Sequence, residues 1–146
     1  KLIILGKGKN KKKLENYIFR NKLKENIKII GYKKNPYPYI NKADIFILSS
    51  KFEGLPNVLL EAQYLKKTII SSNCPTGPRE ILLGGKAGFL FKVGNINELK
   101  KKIFFVTNKD NKKNIKNKIK KGYNSMYRFD FNKNMKLYLN EIKKYL

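Results

Sequence analysis

Short runs of apolar residues alternate along this chain with longer stretches in which apolar residues recur every three or four positions. The runs predict β-strands and the periodic stretches predict amphipathic helices. The predicted strands are residues 1–5, 26–31, 44–50, 68–72 and 87–93. The predicted helices are residues 9–23, 37–42, 56–66, a short turn before Gly84-Gly85, and residues 95–106.

Two further segments follow the last predicted strand and helix. Residues 107–129 are rich in lysine and asparagine, with apolar residues only at sparse intervals, and they predict a marginal, solvated helix. In the region 128–146 we predict a C-terminal helix, because these five residues fall on one helical face: Phe131, Met135, Tyr138, Ile142 and Leu146.

Strands that alternate with helices in this way favour an α/β fold, a Rossmann-like parallel sheet with helices on both faces, in one domain of residues 1–146. The first strand, "KLIIL", is expected to lie in the core. Ligands of such sheets bind beyond the carboxyl ends of the strands. Three loops are expected there: "GKGKN", "GYKKNPYP" and "SSKFEGLPN".

The stretch "SSKFEGLPNVLLEA" joins the third predicted strand to a helix. Gly54 permits close approach of a ligand to the backbone, and the free amides of the helix's first turn favour a phosphate. Glu53 and Glu61 frame this turn and are suited to accept hydrogen bonds from sugar hydroxyls. A sugar nucleotide would satisfy all three elements. Spacing alone is weak support, because such a loop acid is more often an ordinary helix-start residue and such a helix glutamate is more often solvated; Glu53 and Glu61 fit both descriptions.

The charge of the chain is strongly positive, with 34 basic and 10 acidic residues giving +24. Only three of the basic residues are arginines, which specific nucleic-acid readers prefer, so we expect no specific nucleic-acid partner. Clustered lysines instead favour peripheral attraction to an anionic membrane surface. No apolar run is long enough for a membrane span, no secretory leader is visible, and a reducing, cytoplasmic location at the inner membrane face is expected.

Metal chemistry is not expected either. The chain has no histidine and a single cysteine, Cys74, so neither a zinc site nor a redox-metal site is predicted. Cys74 also lacks a histidine that could activate it as a nucleophile.

The string "ADIFILSSKFEGLPNVLLEAQYLKKTIISSNCPTGPREIL" closely resembles the nucleotide-binding half of retaining glycosyltransferases of the GT-B fold, in the large family 4. The resemblance extends from "IILGKGKNKKKLE" to about Leu99. It implies that Glu53 is the catalytic residue and contacts the hydroxyls of the donor sugar, and that Glu61 takes the ribose hydroxyls. The backbone amides of four residues would approach the sugar and phosphates: Gly54, Leu55, Asn57 and Val58.

The resemblance also assigns residues to the nucleotide's other parts. Gly31 and Tyr32 would line the base pocket, and Gly6 would be a close-approach glycine beside the nucleotide, although "GKG" is also common in simple turns. The implied donor is a uridine-linked hexose or N-acetylhexosamine, with no metal and no cofactor. The implied acceptor is a glycan or a lipid-linked glycan of a bacterial surface polysaccharide.

The resemblance further implies that the chain is part of a longer enzyme. It begins with Lys1 in an apolar strand, so we expect that the first strand–helix unit of the domain and the N-terminal half-domain are missing. The C-terminal helix would pack on that missing half. The chain alone is then expected to be inactive.

Three other functions remain open from the sequence. The first is a catalytically inactive sugar-nucleotide binding module, to which the intact glutamate motif is equally suited. The second is a basic nucleic-acid binder, whose affinity would depend steeply on salt. The third is a nucleotide-sugar epimerase of the same fold, which usually needs acids and histidines that this chain lacks.

Overall fold

The computed structural model describes residues 1–145. These residues fall into two compact units, Lys1–Tyr39 and Ile40–Leu146. Strands and helices alternate along both units, and every strand pair is parallel. The predicted α/β class is confirmed.

The elements lie close to their predicted positions, and most are shorter at their ends. The strands are β1 (Leu2–Leu5), β2 (Ile27–Gly31), β3 (Ile45–Leu48), β4 (Thr68–Ser72) and β5 (Phe89–Phe91). The helices are α1 (Lys11–Arg20), α2 (Tyr37–Lys42), α3 (Asn57–Tyr64), α4 (Pro78–Ile81), α5 (Ile96–Thr107), α6 (Lys112–Asn124) and α7 (Phe131–Ile142). Short 3-10 turns cover Leu83–Gly85, Lys109–Asn111 and Met126–Phe129.

The first unit contains a two-stranded sheet in which β1 pairs only with β2. Leu2 lies opposite Ile27, and the register shifts between Ile4 and Leu5. Although β1 was predicted as a core strand, Leu2, Ile3 and Leu5 are exposed. The strand therefore exists as predicted, but the prediction that it is buried was wrong, because only one neighbouring strand pairs with it within this unit.

The second unit contains a three-stranded sheet with β4 between β3 and β5. Ile69 and Ile70 of β4 point to opposite faces, as the two-residue period of a strand requires. The Ile69 face packs against α3 and α4 through Leu59 and Ile81. The Ile70 face packs against α5 and α6. Helices thus cover both faces of this sheet, as predicted.

Helix α6 differs from its prediction as a solvated helix. Its Ile115 packs against the cluster of Ile70, Phe89 and Phe91, and its Gly122 is buried. A Cβ atom at Gly122 would lie 2.9 Å from Nε2 of Gln63 on α3. The lack of a side chain at Gly122 allows this close approach, which hydrophobic periodicity does not record.

Helix α7 has no buried residue, and its apolar face, which includes Phe131, Met135 and Tyr138, is exposed. Leu146, which was predicted to continue this face, lies outside the described residues. Within residues 1–145, no helix has the length and apolar character that crossing a membrane requires.

Candidate functional site

The turn from β3 to α3 holds the first predicted glutamate in a defined position. Ser50 lies two residues beyond the end of β3, and its hydroxyl donates a hydrogen bond to Oε1 of Glu53 at 2.6 Å. Glu53 is half-buried, whereas Gly54 and Leu55 are exposed. One oxygen of the Glu53 carboxylate is therefore occupied by Ser50, and Oε2 has no hydrogen-bond partner among residues 1–145.

The first turn of α3 offers unpaired backbone donors beside this carboxylate. Pro56 is the N-cap residue and is buried, and its carbonyl accepts from the amide of Leu59. The amides of Asn57 and Val58 make no hydrogen bond within the described part of the chain. Such free amides and the helix dipole stabilise a negatively charged group. No acidic side chain occupies this turn of the helix.

Glu61 lies one turn further along α3. It is half-buried, and its carboxylate has no ion pair and no hydrogen bond to any residue in the range 1–145. The carboxylates of Glu53 and Glu61 and the amides of Asn57 and Val58 thus lie on one short segment, each without a partner in the part of the chain that the structure describes except for the Ser50 bond to Glu53. Their roles toward a ligand remain predictions.

Gly6, Gly31 and Tyr32 lie in the first unit and form a cluster of their own. The amide of Gly6 donates to the carbonyl of Gly31 at 2.9 Å, so the ends of β1 and β2 are joined. Both glycines have positive φ angles, 127° and 70°, which other residues rarely adopt. Tyr32 follows directly and is exposed, with Nζ of Lys7 5.2 Å from its ring centre.

A second loop supports the Glu53 turn through contacts that the sequence did not predict. Residues 73–77 follow β4, the neighbour of β3, so both loops leave the same edge of the sheet. The hydroxyl of Thr76 donates to the carbonyl of Glu53. A Cβ atom at Gly77 would overlap the carbonyl oxygen of Gly54 and lie 2.6 Å from Cδ of Pro56. The only sequence signal for this contact is the string "PTGP" after a strand.

Buried groups fix the start of the same turn. The Ser72 hydroxyl and the Cys74 thiol both donate to the carbonyl of Ser50, at 2.6 Å and 3.1 Å. Ser72 is 0% and Cys74 2% exposed. Cys74 is therefore a packing and hydrogen-bonding residue of this loop.

No group of three potential metal-ligating side chains occurs in residues 1–145. Two surface depressions of about 430 and 370 Å³ lie along α6 and are lined mainly by lysines and asparagines. Neither includes a residue of the Glu53 turn. We place the candidate site at the β3–α3 turn because the free amides, the two carboxylates and the supporting loop converge there.

The family model described as "Glycosyl transferases group 1" matches residues 1–143. An uncharacterized glycosyltransferase of Methanocaldococcus jannaschii is 46% identical over 82 residues, which are 56% of this chain and 20% of that protein. A Campylobacter jejuni protein named N-acetylgalactosamine-N,N'-diacetylbacillosaminyl-diphospho-undecaprenol 4-alpha-N-acetylgalactosaminyltransferase is 34% identical over 99 residues, 68% of this chain and 27% of that protein.

Solved structures show the same fold. A TarM variant of S. aureus, in complex with Fondaparinux, alpha-GlcNAc-glycerol and UDP, superposes with a TM-score of 0.82 at 24% identity, over 94% of this chain and 28% of that one. Anabaena HepE in complex with UDP gives a TM-score of 0.82 at 20% identity, over 99% of this chain and 40% of that one. The chain therefore spans only a fifth to two-fifths of the length of these proteins.

Proposed function

This chain belongs to the glycosyl transferases group 1 family, and from that premise we propose that it binds the nucleotide-sugar donor of a retaining, family 4 enzyme with the GT-B fold. The donor is a UDP-hexose or UDP-N-acetylhexosamine. The observation that carries the proposal is the β3–α3 turn, where Glu53, two free amides and Glu61 lie within nine residues. A sugar, a diphosphate and a ribose present complementary groups in that order.

Each part of the turn has a chemical role in this proposal. The free oxygen of Glu53 accepts hydrogen bonds from the donor sugar's hydroxyls, and the amides of Gly54 and Leu55 approach the sugar and its phosphate. The amides of Asn57 and Val58 bind the distal phosphate, where the helix dipole adds to the attraction. Carboxylates accept strong hydrogen bonds from neutral hydroxyls, which suits Glu61 to the ribose.

The cluster in the first unit, taken by itself, is suited to a nucleotide's base. Tyr32 presents an exposed ring directly after β2, and Gly31 and Gly6 leave the backbone uncovered by side chains. An exposed aromatic ring is suited to stack on a base. Two of the similar structures were solved with UDP bound, which supports a uridine-linked donor.

We propose metal-independent transfer, in which helix amides and cations balance the charge of the departing diphosphate. The acceptor is a glycan or a lipid-linked glycan in bacterial surface polysaccharide synthesis. The names of relatives support this, among them an amylovoran biosynthesis glycosyltransferase and a capsular polysaccharide biosynthesis glycosyltransferase. A cytoplasmic location with peripheral attraction to the inner membrane face fits the surplus of lysines.

We further propose that transfer requires the rest of a full-length glycosyltransferase, since the segments that this chain matches are only 20% and 27% of two relatives. This chain alone then binds donor and transfers little or no sugar. Detectable sugar transfer by the chain alone would contradict this part of the proposal.

Ligand-detected NMR of UDP tests the binding function. We expect the wild-type chain to transfer saturation to UDP at moderate salt and Glu61→Ala to lose most of it, because the variant removes the acceptor for the ribose hydroxyls. Asn57→Ala is the matched control, since its proposed contact is through the backbone amide. An oligonucleotide that binds wild type and Glu61→Ala equally, and is released by salt together with UDP, would show that net charge alone drives binding.

A further inference from the structure

We propose that Ser50 and Thr76 are positioning residues for Glu53: the Ser50 hydroxyl orients the carboxylate toward the donor sugar, and the Thr76 hydroxyl fixes the backbone from which it projects. The role toward the sugar rests on the proposed function. The geometry of Ser50, Thr76 and Glu53 is independent of that function.

The bond from Ser50 decides which way the carboxylate faces. Its 2.6 Å length lies in the range of hydroxyl–carboxylate hydrogen bonds, which are stronger than bonds between neutral groups. Because Oε1 is held by Ser50, the carboxylate cannot rotate freely, and Oε2 is presented as the acceptor for a ligand. Without the bond, a half-exposed glutamate would sample several rotamers.

Ser50 can act in this way because its own backbone is immobilised. Its carbonyl accepts two hydrogen bonds, from Ser72 and Cys74, whose side chains are almost fully buried. Both donors belong to β4 or the loop after it, the strand paired with β3. The orientation of Glu53 is therefore fixed, through Ser50, by β4 and the loop after it, and β4 is the central strand of the sheet.

Thr76 and Gly77 hold the other side of the turn. Thr76 donates to the carbonyl of Glu53, and Gly77 packs directly on the carbonyl of Gly54. The two contacts fix successive peptide units, whose N–H groups are the proposed sugar-facing amides of Gly54 and Leu55. The first unit also adjoins the Cα atom from which the Glu53 side chain projects. Thr76 is exposed, so its hydroxyl is not needed to satisfy a buried group, whereas Gly77 is buried against the turn.

A positioning role predicts a phenotype that a folding role does not. Removing the Ser50 hydroxyl leaves Glu53 half-exposed and hydrated rather than buried and unpaired, so the cost to folding is small. What the variant should lose is the order of the Glu53 side chain and its contacts to the hexose. A threonine at this position keeps the hydroxyl and should restore both. Ser49 is an exposed neighbouring serine with no side-chain hydrogen bond among residues 1–145, and it supplies the control.

The test measures Glu53 first and the ligand second. The Glu53 carboxyl ¹³C resonance and side-chain couplings are recorded in wild type and in the variants Ser50→Ala, Ser50→Thr and Ser49→Ala. We expect Ser50→Ala alone to shift the resonance and average the couplings. Saturation transfer to UDP-glucose and UDP-N-acetylglucosamine then reports the hexose-to-uridine ratio, which should fall about twofold or more in Ser50→Ala and stay unchanged in the other two.

Thr76 is tested by the same measurements. Thr76→Val keeps the shape and removes the hydroxyl, and it should lower the backbone NMR order parameters of Glu53 and Gly54 and lower the hexose-to-uridine ratio. Thr76→Ser should restore both. Unchanged order parameters and an unchanged ratio in Thr76→Val would remove Thr76 from the proposal.

The outcomes separate this inference from the proposed function. An unchanged Glu53 resonance in Ser50→Ala overturns the positioning role, whatever the ligand does. A shifted resonance with an unchanged hexose ratio overturns its relevance to the donor. A shifted resonance in a chain whose wild type binds neither UDP-sugar supports the positioning of Glu53 and overturns donor binding.

Discussion

The choice of residue at position 77 is limited by a contact between two loops of this site. Gly77 fits there, because its φ of +82° and ψ of −72° would strain any other residue and its face is covered by Gly54 and Pro56. The shape of the Glu53 turn thus depends on a residue more than twenty positions away.

Gly77→Ala should lower the free energy of unfolding by more than the about 1–3 kcal/mol that backbone strain alone costs. The added Cβ must also displace the carbonyl of Gly54. Gly94→Ala is the control, since Gly94 has a φ of +76° and open space where a Cβ would lie. Urea unfolding measures both variants. Equal losses would mean that the contact with Gly54 contributes nothing.

The side chain of Lys118 is partly buried, and its surroundings change the pH at which it loses its proton. Burial lowers the pKa of Lys118 below 10.5, and the charges of Lys102 and Lys121 lower it further. Its amine donates to the carbonyl of Gly85 and lies 5.0 Å from the ring centre of Phe89. The unfolded chain therefore holds this proton more tightly than the folded chain does.

Stability should accordingly rise with pH between the lowered pKa of Lys118 and 10.5, since the unfolded state binds more protons in that window. Unfolding free energies of wild type and Lys118→Met, compared from about pH 8 to about pH 10, isolate the effect from the tyrosines. Wild type should gain relative to the variant. Lys116→Met, an exposed position on the same helix, should show no such relative change; parallel curves for wild type and Lys118→Met would contradict the prediction.

At the scale of elements, the N-terminus of α5 shows how much a local signal can determine. Asn95 accepts from the amide of Glu98 at 3.0 Å and donates to its carboxylate, while the other Glu98 oxygen accepts from the amide of Lys92. This reciprocal cap ends the turn after β5 and begins the helix at Ile96.

Asn95→Ala should reduce the unfolding free energy by about 0.5–2 kcal/mol, the usual cost of a lost N-cap. Asn10→Ala is the matched control, because Asn10 caps α1 without a side-chain hydrogen bond. Chemical denaturation followed by circular dichroism measures both. A larger effect at Asn10 than at Asn95 would show that the cap hydrogen bonds do not determine the difference.

Local sequence patterns were sufficient to predict the strands and helices, but they did not predict the contacts between them. The apolar run before Ser49 gave β3, and the Glu53–Glu61 stretch gave the turn and α3, because strand runs and helix starts are written in neighbouring residues. The bond from Thr76 to Glu53 joins residues 23 apart, and no periodicity encodes it. The packing of α6 through Gly122 was missed for the same reason.

The whole molecule combines a charge of +24 with an uncovered apolar face on α7. Like charges keep copies apart at low ionic strength, while apolar surface favours association. Salt screens the first effect over about 10 Å at 0.1 M and leaves the second intact. The two surfaces therefore give opposite responses to salt.

We predict that self-association of this chain increases with salt, and that Met135→Ser with Tyr138→Ser abolishes the increase. Sedimentation velocity at low and moderate salt measures it. Ile96→Ser, which removes an exposed apolar residue from α5, is the control and should leave the increase in place. Association that falls with salt would indicate a charge-driven contact instead. In a full-length enzyme, we propose that this face packs on the remaining half of the protein.

The contact of Gly77 with Gly54 also bears on how such domains can be recombined. Residues 50–56 and residues 73–77 occupy one shared space, although separate parts of the sequence encode them. A chimaera that imports only the first segment from a relative with a different donor would meet a second loop shaped for the old one. Segment exchanges between such domains should therefore replace residues 50–56 and residues 73–77 together.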